Sequence, residues 1–353
     1  MEKKELDEAI KRGKIIHHKE DIEYYRFREG FREINRGRVI TRERVVPGYP
    51  HIKRIFTLDK GIEKNITEKE IYIEEKIDGF NVRVAIVEGK VFAFSRGGFI
   101  DLFSTEKARE MKLEKFFKDH PKYVLCGEMV GNTPYTLPTK KFDVKFLVFD
   151  IGLENETYLP IAEKYKLLDK YDIESVPRLG KFSTKDIDKI KKIALDINNS
   201  NREGIVIKTA SRKETVKYVV ANSDIADVEE AVKSFFDMPP GFFMQRIFRA
   251  SMFLNDFGLK RDEYEKRMGK AFFNLIDSIK QSEKEGHSHE EYEILVKDPR
   301  IYENIKKHMS KEIRVETVFE KKEGNRKRIR FRKIYRKTSE KINGALRGRG
   351  QID

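Results

Sequence analysis

The sequence predicts an α+β fold built around a largely antiparallel sheet. Between residues 58 and 222, segments with the period-two alternation of strands are mixed with segments of helical spacing. The two kinds do not alternate regularly, as a parallel sheet with crossover helices would require. From residue 223 to about residue 312 helical spacing prevails, and strand patterns return only after it.

These changes of pattern divide the 353 residues into four predicted units. Residues 1–57 are expected to form a small N-terminal β module that begins with an amphipathic helix over residues 1–20. Residues 58–222 form the mixed α+β domain, residues 223–312 a helical domain, and residues 313–353 a small basic C-terminal module. A chain of this length suits more than one hydrophobic core.

The same periodicities predict the individual elements. Strands are expected at 38–40, 44–46, 71–76, 81–87, 91–95, 123–129, 145–151, 204–209 and 215–220. Helices are expected at 105–118, 161–170, 184–198, 224–236, 241–255, 262–282 and 289–309. Pro239 and Pro240 separate the first two helices of the helical domain. A final hairpin over 313–319 and 328–335 precedes a tail that contains glycine and arginine.

Composition excludes several classes of protein. Hydrophobic residues make up 39% of the chain and charged residues 38%, and no stretch approaches the roughly 20 apolar residues that span a bilayer. Cys126 is the single cysteine, which excludes intramolecular disulfides and cysteine-based metal clusters. The first residues lack the apolar core of a signal peptide. We therefore expect a soluble, cytoplasmic protein.

Positive charge is concentrated near the C-terminus. The net charge is +14, and residues 321–349 contribute +11 of it. Such a concentration suggests a phosphate-bearing partner, although a solvated basic tail would have the same composition. Ile329, Phe331 and Tyr335 interleave with the basic residues, as stacking positions in a nucleic-acid groove do. The alternative is that these three form the apolar face of a packed hairpin.

The stretch with the most chemical information is 74–79, Glu-Glu-Lys-Ile-Asp-Gly. A strand that delivers Lys76 into a turn closed by Gly79 places an amine at the wall of a cleft. A lysine becomes a nucleophile when desolvation or neighbouring positive charge removes its proton. Attack on the α-phosphate of a nucleotide would then store activated AMP on the amine. Taken alone, the pattern also fits an ordinary surface turn.

Five further motifs follow in a fixed order, and together with the first they carry a resemblance. They are Ser95-Arg96-Gly97-Gly98, Gly127-Glu128, 146–151 with Phe149, 203–208 from Glu203 to Lys208, and Lys217-Tyr218-Val219. The whole set resembles motifs I, Ia, III, IIIa, IV and V of the covalent nucleotidyltransferases, which include polynucleotide ligases and capping enzymes. The resemblance implies the nucleotidyltransferase (ATP-grasp-like) fold for the α+β domain.

The resemblance also implies roles at the start of the set. Lys76 would be the adenylated nucleophile, and Glu74 would lie near the adenine edge and help to select ATP. Asp78, Gly79 and Asn81 would be further nucleotide-binding residues around the lysine. All of these residues would therefore have to lie around one bound nucleotide.

Later motifs would complete the nucleotide site. Arg96 would contact the ribose or the incoming 5′-phosphate, where a guanidinium binds in bidentate fashion. Glu128 would accept hydrogen bonds from ribose hydroxyls. Phe149 would stack on adenine, although core packing in its apolar strand is a rival interpretation.

The last motifs are expected to handle charge. Glu203 would bind Mg²⁺ or orient Lys76, since hard cations take oxygen ligands. Lys208 and Lys217 would neutralise the α-phosphate during phosphoryl transfer. ATP and Mg²⁺ are thus the implied cofactors. Cys126 is expected to be a core residue, and His287 and His289 are expected to be solvated, because no further ligands cluster near them in the sequence.

The order of domains is similar to that of the archaeal homodimeric ATP-dependent RNA ligases that circularise RNA. DNA ligases and capping enzymes carry a β-barrel after motif V, where this chain has helical spacing. The resemblance implies an RNA partner with single-stranded ends, possible use of single-stranded DNA, and a homodimer through the helical domain, where residues 235–258 are rich in aromatic residues and methionine. A capping-type guanylyltransferase and a non-catalytic RNA-binding protein are the alternatives.

Overall fold

The computed structural model describes residues 8–309 and 313–349, and it has the predicted mixture of helices and antiparallel sheets. Within the described residues the strands are β1 (Ile15–Lys19), β2 (Glu23–Phe27), β3 (Val39–Thr41), β4 (Val45–Val46), β5 (Lys53–Arg54), β6 (Glu70–Lys76), β7 (Phe80–Val87), β8 (Lys90–Ser95), β9 (Val124–Gly131), β10 (Val144–Gly152), β11 (Arg178–Ser183), β12 (Gly204–Thr209), β13 (Thr215–Val219), β14 (His289–Val296), β15 (Ile313–Glu323) and β16 (Arg326–Tyr335).

The helices pack around these strands. They are α1 (Leu58–Asn65), α2 (Leu102–Glu110), α3 (Glu114–Asp119), α4 (Ile161–Lys170), α5 (Ile187–Asn199), α6 (Ala221–Ala231), α7 (Phe242–Phe257), α8 (Asp262–Phe273), α9 (Leu275–Glu285), α10 (Arg300–His308) and α11 (Arg336–Leu346). None of the helices in the described parts of the chain is both long and apolar enough to cross a membrane.

Two sheets form the centre of the molecule. One has the strand order β10-β9-β7-β8 and is antiparallel throughout. The other has the order β11-β6-β12-β13-β5, in which only the short β13–β5 pair is parallel. All the strands predicted between 71 and 220 are confirmed within a residue or two, because their apolar residues fill three buried clusters. The edge strand β11 carries few buried residues and lay outside the sequence predictions.

The N-terminal module is a four-stranded sheet, β1-β2-β3-β4. Residues 8–11 are helical, but the predicted helix over 1–20 is wrong after that, since Ile15–Lys19 pairs with Glu23–Phe27 as a hairpin. The earlier part of that prediction, residues 1–7, lies outside the described residues. Arg83 on β7 ties the module to the centre: its side chain is fully buried and donates to the backbone oxygens of Gly37, Pro47 and Ser95.

The helical region differs from prediction at two joints. The helix expected over 262–282 is two helices, α8 and α9, which meet at Asn274. The helix expected over 289–309 is wrong for its first half, where β14 forms, and correct only for α10. A similar break divides the helix expected over 105–118 into α2 and α3. Helix α7 packs Ala250 and Phe253 against the second central sheet.

The basic C-terminal residues belong to the sheet β14-β16-β15, and α11 follows where only a tail was expected. The hairpin is confirmed, but Ile329, Phe331 and Tyr335 are 1%, 0% and 7% exposed and fill a core, so the stacking interpretation is wrong. Strand β14 supplies carboxylates that face the arginines of β16.

Several of the C-terminal cations are therefore already paired. Arg328 and Arg330 bond Glu293, at 2.7 and 2.9 Å, and Arg332 bonds Glu291 at 3.0 Å. The positive charge available to a partner is correspondingly smaller than the sequence suggests, because ion pairs across β14 and β16 neutralise part of it.

The C-terminal sheet is attached to helix α2. The Glu106 carboxylate accepts the backbone N–H groups of Lys297 and Asp298 at 2.8 to 3.0 Å, and Lys107 donates to the backbone oxygen of Leu295 at 2.7 Å. Phe103 joins the hydrophobic core of the sheet. The sheet is consequently packed onto the domain that carries the motifs rather than tethered to it by a loop.

Asp150 on β10 crosslinks the two central sheets. It is fully buried, and Arg212 donates to both its oxygens at 2.8 and 2.7 Å, while Tyr49 donates at 2.6 Å and Lys208 at 3.0 Å. Burial acts to raise the pKa of Asp150, but Arg212 and Lys208 outweigh it and hold the pKa well below its usual range. The carboxylate is thus held ionised between sheets.

Arg212→Met should strongly destabilise the fold, because it leaves a buried carboxylate without its bidentate partner. We expect a loss of about 3–5 kcal/mol in the free energy of unfolding, measured by chemical denaturation. Arg300→Met is the matched control, since Arg300 pairs with Asp298 at 2.6 Å but is 72% exposed, and it should cost less than about 1 kcal/mol. Equal losses in the two variants would contradict the role given to Asp150.

Candidate active site

The predicted site residues meet in a cavity of about 240 Å³ between the two central sheets. Nine of the eleven line it: Lys76, Lys208, Lys217, Glu74, Gly79, Asn81, Arg96, Glu128 and Phe149. Glu203 lies at its edge in contact with Lys76, and Asp78 lines a different cavity. The nine lining residues come from six strands and two loops, so the fold and not the sequence spacing brings them together.

Strand register explains why so many charged side chains converge. On β6, residues 74 and 76 share one face because strand side chains alternate. Gly204 lies opposite Lys76 and Val206 opposite Glu74, and Lys217 of β13 lies opposite Val206. The cross-strand rows therefore direct Glu74, Lys76 and Lys217 to the same side of the second sheet.

Lys76 forms an ion pair with Glu203 at the end of this row. Their side chains are 22% and 16% exposed, so both remain accessible from the cavity. Gly204, which follows Glu203, lets β12 lie close to β13: a Cβ there would lie 2.2 Å from the backbone oxygen of Tyr218, and its φ is +159°. Burial raises the pKa of Glu203 above its ordinary value, although the charge of Lys76 opposes the change.

The first sheet supplies Asn81 and Glu128, which face each other across β7 and β9. Asn81 Nδ2 donates to Glu128 Oε1 at 3.3 Å, while the buried Oε2 has no partner among the described residues. Burial raises the pKa of Glu128 to about 8, although Lys76 acts in the opposite direction. Gly79 lets the turn before β7 lie close to β9, because a Cβ there would lie 2.8 Å from the backbone oxygen of Met129.

Glu74 is more enclosed than an adenine-binding carboxylate would need to be. It is 1% exposed, Lys164 and Tyr165 donate to its Oε1, and Lys208 lies 2.7 Å from its Oε2. Burial acts to raise its pKa, but the charges of Lys208 and Lys164 outweigh burial and lower it. Its contacts show Glu74 anchoring two lysines beneath the cavity.

Lys208 and Lys164 also fix Phe149. Both ammonium groups donate to the backbone oxygen of Phe149 at 2.7 Å. A register shift between Val148 and Asp150 marks a bulge at this position of β10, and bulges re-aim side chains. Phe149 is partly exposed to the cavity and contacts Tyr49 edge to face at 5.0 Å. Its ring therefore forms part of the cavity wall instead of being lost in the core.

A group of cations lies near Lys76 and consists of Lys217, Arg54 and Arg96. Burial, together with the charges of Lys76, Arg54 and Arg96, lowers the pKa of Lys217 to about 8. Lys217 and Arg96 also act with burial to lower the pKa of His51. Arg54 lies beside Lys217 in the parallel β5–β13 pair, and its buried Nη1 has no partner among the described residues. Positive charge here exceeds what nearby carboxylates neutralise.

Asp78 lies apart from the other predicted residues. It lines a second, larger cavity of about 690 Å³ together with Asp227 and Glu230 of α6. Burial raises the pKa of Asp78, with Lys76 opposing and Asp227 adding to the rise. Asp78 thus faces α6 from the turn that follows Lys76.

Sequence reasoning missed four residues around the first cavity. They are Tyr49, Arg54, Lys164 and Arg212. Arg54 lies in the two-residue strand β5, which is too short to show a periodicity. The other three gave no local signal: Tyr49 lies between Gly48 and Pro50 in a segment typical of a turn, Lys164 is one of several lysines on a helix, and Arg212 lies in a loop.

The comparisons with known proteins agree with this geometry. The sequence profile of the RNA ligase family matches residues 69–219, and that of the ligase Pab1020 C-terminal region matches residues 230–349. The solved structure of an archaeal ATP-dependent RNA ligase is 27% identical, covers 98% of this chain and 96% of its own, and superimposes with a TM-score of 0.88.

The chain belongs to the ATP-dependent RNA ligase family.

Two further relatives span the whole ligase. A solved protein from Aquifex aeolicus, provisionally assigned as an ATP-dependent DNA ligase, is 30% identical over 99% of both chains with a TM-score of 0.92. The uncharacterized protein MJ0414 of Methanocaldococcus jannaschii is also 30% identical, over 98% of this chain and 93% of its own. The similarity therefore extends through the N- and C-terminal modules as well as the motif-bearing domain.

The raised pKa of Glu128 predicts a pH effect on the stability of the nucleotide-free ligase. With a pKa of about 8 when folded and an ordinary value of 4.5, Glu128 takes up a proton on folding at pH values between these two. Its contribution is complete below pH 4.5 and is lost as the pH rises to about 8. Relative to Glu128→Gln, the wild type should lose stability from pH 5 to 8, with a slope of at most about 1.4 kcal/mol per pH unit.

The measurement is urea denaturation at several pH values, with Glu174→Gln as the control. Glu174 is an exposed carboxylate paired with Lys145, so this variant also removes one charge. A difference curve for Glu128→Gln that is as flat as that of Glu174→Gln would show that Glu128 is not desolvated as described.

Proposed function

We propose that the ligase joins RNA 5′-phosphate and 3′-hydroxyl ends through a covalent Lys76–AMP intermediate. The observation that supports this most is the placement of Lys76: it reaches one cavity in which a ring, a carboxylate and several cations surround its amine. This arrangement suits a base, a ribose and a phosphate, respectively. A silent RNA-binding protein would not require such a set around one lysine.

The reaction would run in three steps. The Lys76 amine attacks the α-phosphorus of ATP, a phosphorus–nitrogen bond forms, and the bond to the β-phosphate breaks to release pyrophosphate. A 5′-phosphate oxygen of RNA then attacks the same phosphorus and displaces Lys76, leaving AMP linked to the RNA end. Finally the 3′-hydroxyl attacks the 5′-phosphate, gives its proton to solvent and releases AMP.

The residues present fit ATP and a divalent cation. Phe149 and Tyr49 offer aromatic surface for a base. Lys217, Arg54 and Arg96 offer charge that a triphosphate would neutralise. Glu203 and Glu128 each have a buried carboxylate oxygen without a partner among the described residues. Mg²⁺ bound at Glu203 would neutralise phosphate charge, and Glu203 would meanwhile loosen its hold on the Lys76 amine.

Lys208 would act from beneath the site. Because its side chain is 1% exposed and its ammonium group already bonds Glu74, Asp150 and the backbone of Phe149, it presents positive charge without freedom to move. A fixed charge of this kind stabilises a developing negative charge with little reorganisation. The direct contacts to mobile phosphates would fall to Lys217 and Arg96, with Arg54 alongside.

We further propose the finer assignments that the resemblance implied. The domain boundaries at 57 and 222, circularisation of single-stranded RNA, use of single-stranded DNA, and a cytoplasmic location all belong to this proposal. The expected boundary at 312 is not kept, because the sheet β14-β16-β15 contains strands from both sides of it. The buried Cys126 agrees with a reduced compartment but does not require one. Residues in the cation group around Lys217 support phosphate binding better than the ion-paired β16 does.

A homodimer through α7 is also part of the proposal. Met244, Ile247 and Phe248 lie on one face of this helix at spacings of three and four residues. Met244 and Phe248 are 69% and 55% exposed, whereas Phe253 on the opposite face is buried. Phe56 extends the exposed face by contacting Phe248 edge to face at 5.5 Å. A second copy of the chain would cover these side chains.

Incubation with α-³²P-labelled ATP and Mg²⁺, followed by a denaturing gel, tests the intermediate. Wild type should retain label, and Lys76→Ala should lose it by at least a thousandfold, because no other amine occupies its position. Lys145→Ala, which removes an exposed lysine of β10, should label as wild type does. Label should be much weaker with GTP; a preference for GTP would favour the capping alternative.

An unlabelled wild type must first be checked by mass spectrometry for AMP already attached to it. If it neither carries AMP nor accepts label, the ligase mechanism is wrong and RNA binding without catalysis becomes the leading interpretation.

Light scattering during size-exclusion chromatography tests the dimer. The double variant Met244→Asp, Phe248→Asp should elute as a monomer, because two carboxylates cannot be buried unpaired between apolar faces. Leu346→Asp is the control, since Leu346 is also 48% exposed but lies on α11. A wild type that is already monomeric, or a double variant that stays dimeric, would contradict the interface.

A further inference from the structure

A cluster of three metal-ligating side chains lies far along the chain from the Lys76 site, where α9 passes into β14. Glu285 ends α9, and His287 and His289 follow at alternate positions as the chain becomes extended. One ligand atom from each residue lies within 4.8 Å of the other two. We propose that this cluster binds a divalent transition-metal ion, zinc above all.

The first argument is the state of the ring nitrogens. His287 Nε2 and His289 Nδ1 are buried, and neither has a hydrogen-bond partner among the described residues. Buried polar atoms without partners are rare and require an explanation, and a bound ion is one. The sequence prediction that both histidines are solvated is wrong for His289, which is 6% exposed.

The second argument is that one ligand is already oriented by an outer partner. Arg332 Nη1 lies 3.2 Å from Glu285 Oε2 and so orients that carboxylate. Its Oε1 is left to bind the ion, and ligating carboxylates commonly have such an outer partner.

The third argument concerns the outer contacts of His289. Gln281, one turn before Glu285, accepts the backbone N–H of His289 through Oε1 at 2.9 Å, and its amide nitrogen lies 3.3 Å from His289 Nε2. Metal binding at Nδ1 places the ring proton on Nε2. The Gln281 side chain must then rotate, because an amide nitrogen cannot accept that proton whereas the amide oxygen can.

The donor set selects the metal class. Two imidazoles and one carboxylate suit zinc and its neighbours in the first transition row better than magnesium or calcium, which prefer oxygen alone. Tetrahedral zinc with bonds of about 2.0–2.1 Å brings ligand atoms to roughly 3.4 Å apart, so a pair of ligand atoms 4.8 Å apart must close by about 1.4 Å. Glu285 is exposed and can supply most of that movement. Solvent would hold the fourth position.

A bound ion would join helix to sheet. Ser288 lies between the two histidines, and its hydroxyl donates to the backbone oxygen of Lys233 at 2.7 Å. Its backbone N–H donates to the hydroxyl oxygen of Ser339 at 3.0 Å. The backbone is therefore fixed before a metal arrives. The ion would add a crosslink between the end of α9 and the first residue of β14, the strand that organises the C-terminal sheet.

The test uses tag-free, full-length ligase in saturating Mg²⁺, so that oxygen-rich sites do not take the probe. Titration with Co²⁺ should give one equivalent per chain and the intense visible absorption of a tetrahedral site. Zn²⁺ should compete for it and raise the melting temperature by at least about 3 °C. Glu285→Gln and His287→Asn should each weaken binding at least about tenfold.

His308→Asn is the matched control, because His308 is an exposed histidine on α10 and should leave the titration unchanged. Adenylylation at Lys76 should be unaffected in all three variants, which separates this inference from the proposed function. Absence of saturable Co²⁺ binding to the folded wild type, or equal binding by wild type, Glu285→Gln and His287→Asn, would overturn the proposal.

Discussion

The architecture depends on a buried network of opposite charges between its two central sheets. Glu74 and Asp150, one from each sheet, share Lys208, while Lys164 and Arg212 bind them from a helix and a loop. Removing charges from water is costly, and only mutual satisfaction offsets the cost. The network therefore fixes the angle between the sheets, and with it the width of the cavity in which Lys76 lies.

This arrangement divides the work of the lysines. Lys208 and Lys164 are compensated, immobile and largely out of reach, whereas Lys217 stands among other cations with its pKa lowered by burial and by their repulsion. A bound polyanion would reduce the repulsion between these positive charges. The free protein is thus electrostatically prepared for phosphates on one side of Lys76 and structurally rigid on the other.

The sequence predicted the α+β class, the strands around the motifs and nine of the cavity residues, because motif chemistry and strand periodicity agree in that region. Glu74 shows the limit of this reasoning: its position was correct, but its enclosure by Lys164 and Tyr165 depends on a helix 90 residues away, which no local pattern reveals. Asp78 likewise lies beside Lys76 in sequence but faces another cavity, because the turn directs neighbouring side chains apart.

Strand β14 was mistaken for a helix for a related reason. Tyr292, Ile294 and Val296 have period two, but Tyr292, Leu295 and Val296 also fit a helical face, and short apolar runs leave this choice open. Because β14 was not predicted, its carboxylates Glu291 and Glu293 were not recognised as partners of the β16 arginines. On sequence alone, the basic segment therefore resembled one with only unpaired positive charge. Without β14, the sequence could not decide between burial of Phe331 in a hairpin core and its stacking on a nucleic-acid base.

The topology of the C-terminal sheet limits where this chain can be cut or recombined without disrupting its fold. Its centre strand, β16, lies between β14, which comes before α10, and β15, so the sheet is assembled from both sides of residues 310–312. Cutting the chain there would not detach an autonomous appendage. It would leave β14 on α2 with an unpaired edge and bare aromatic side chains, a surface prone to self-association. Recombination in evolution should therefore retain the stretch from β14 to β16 as one inherited unit.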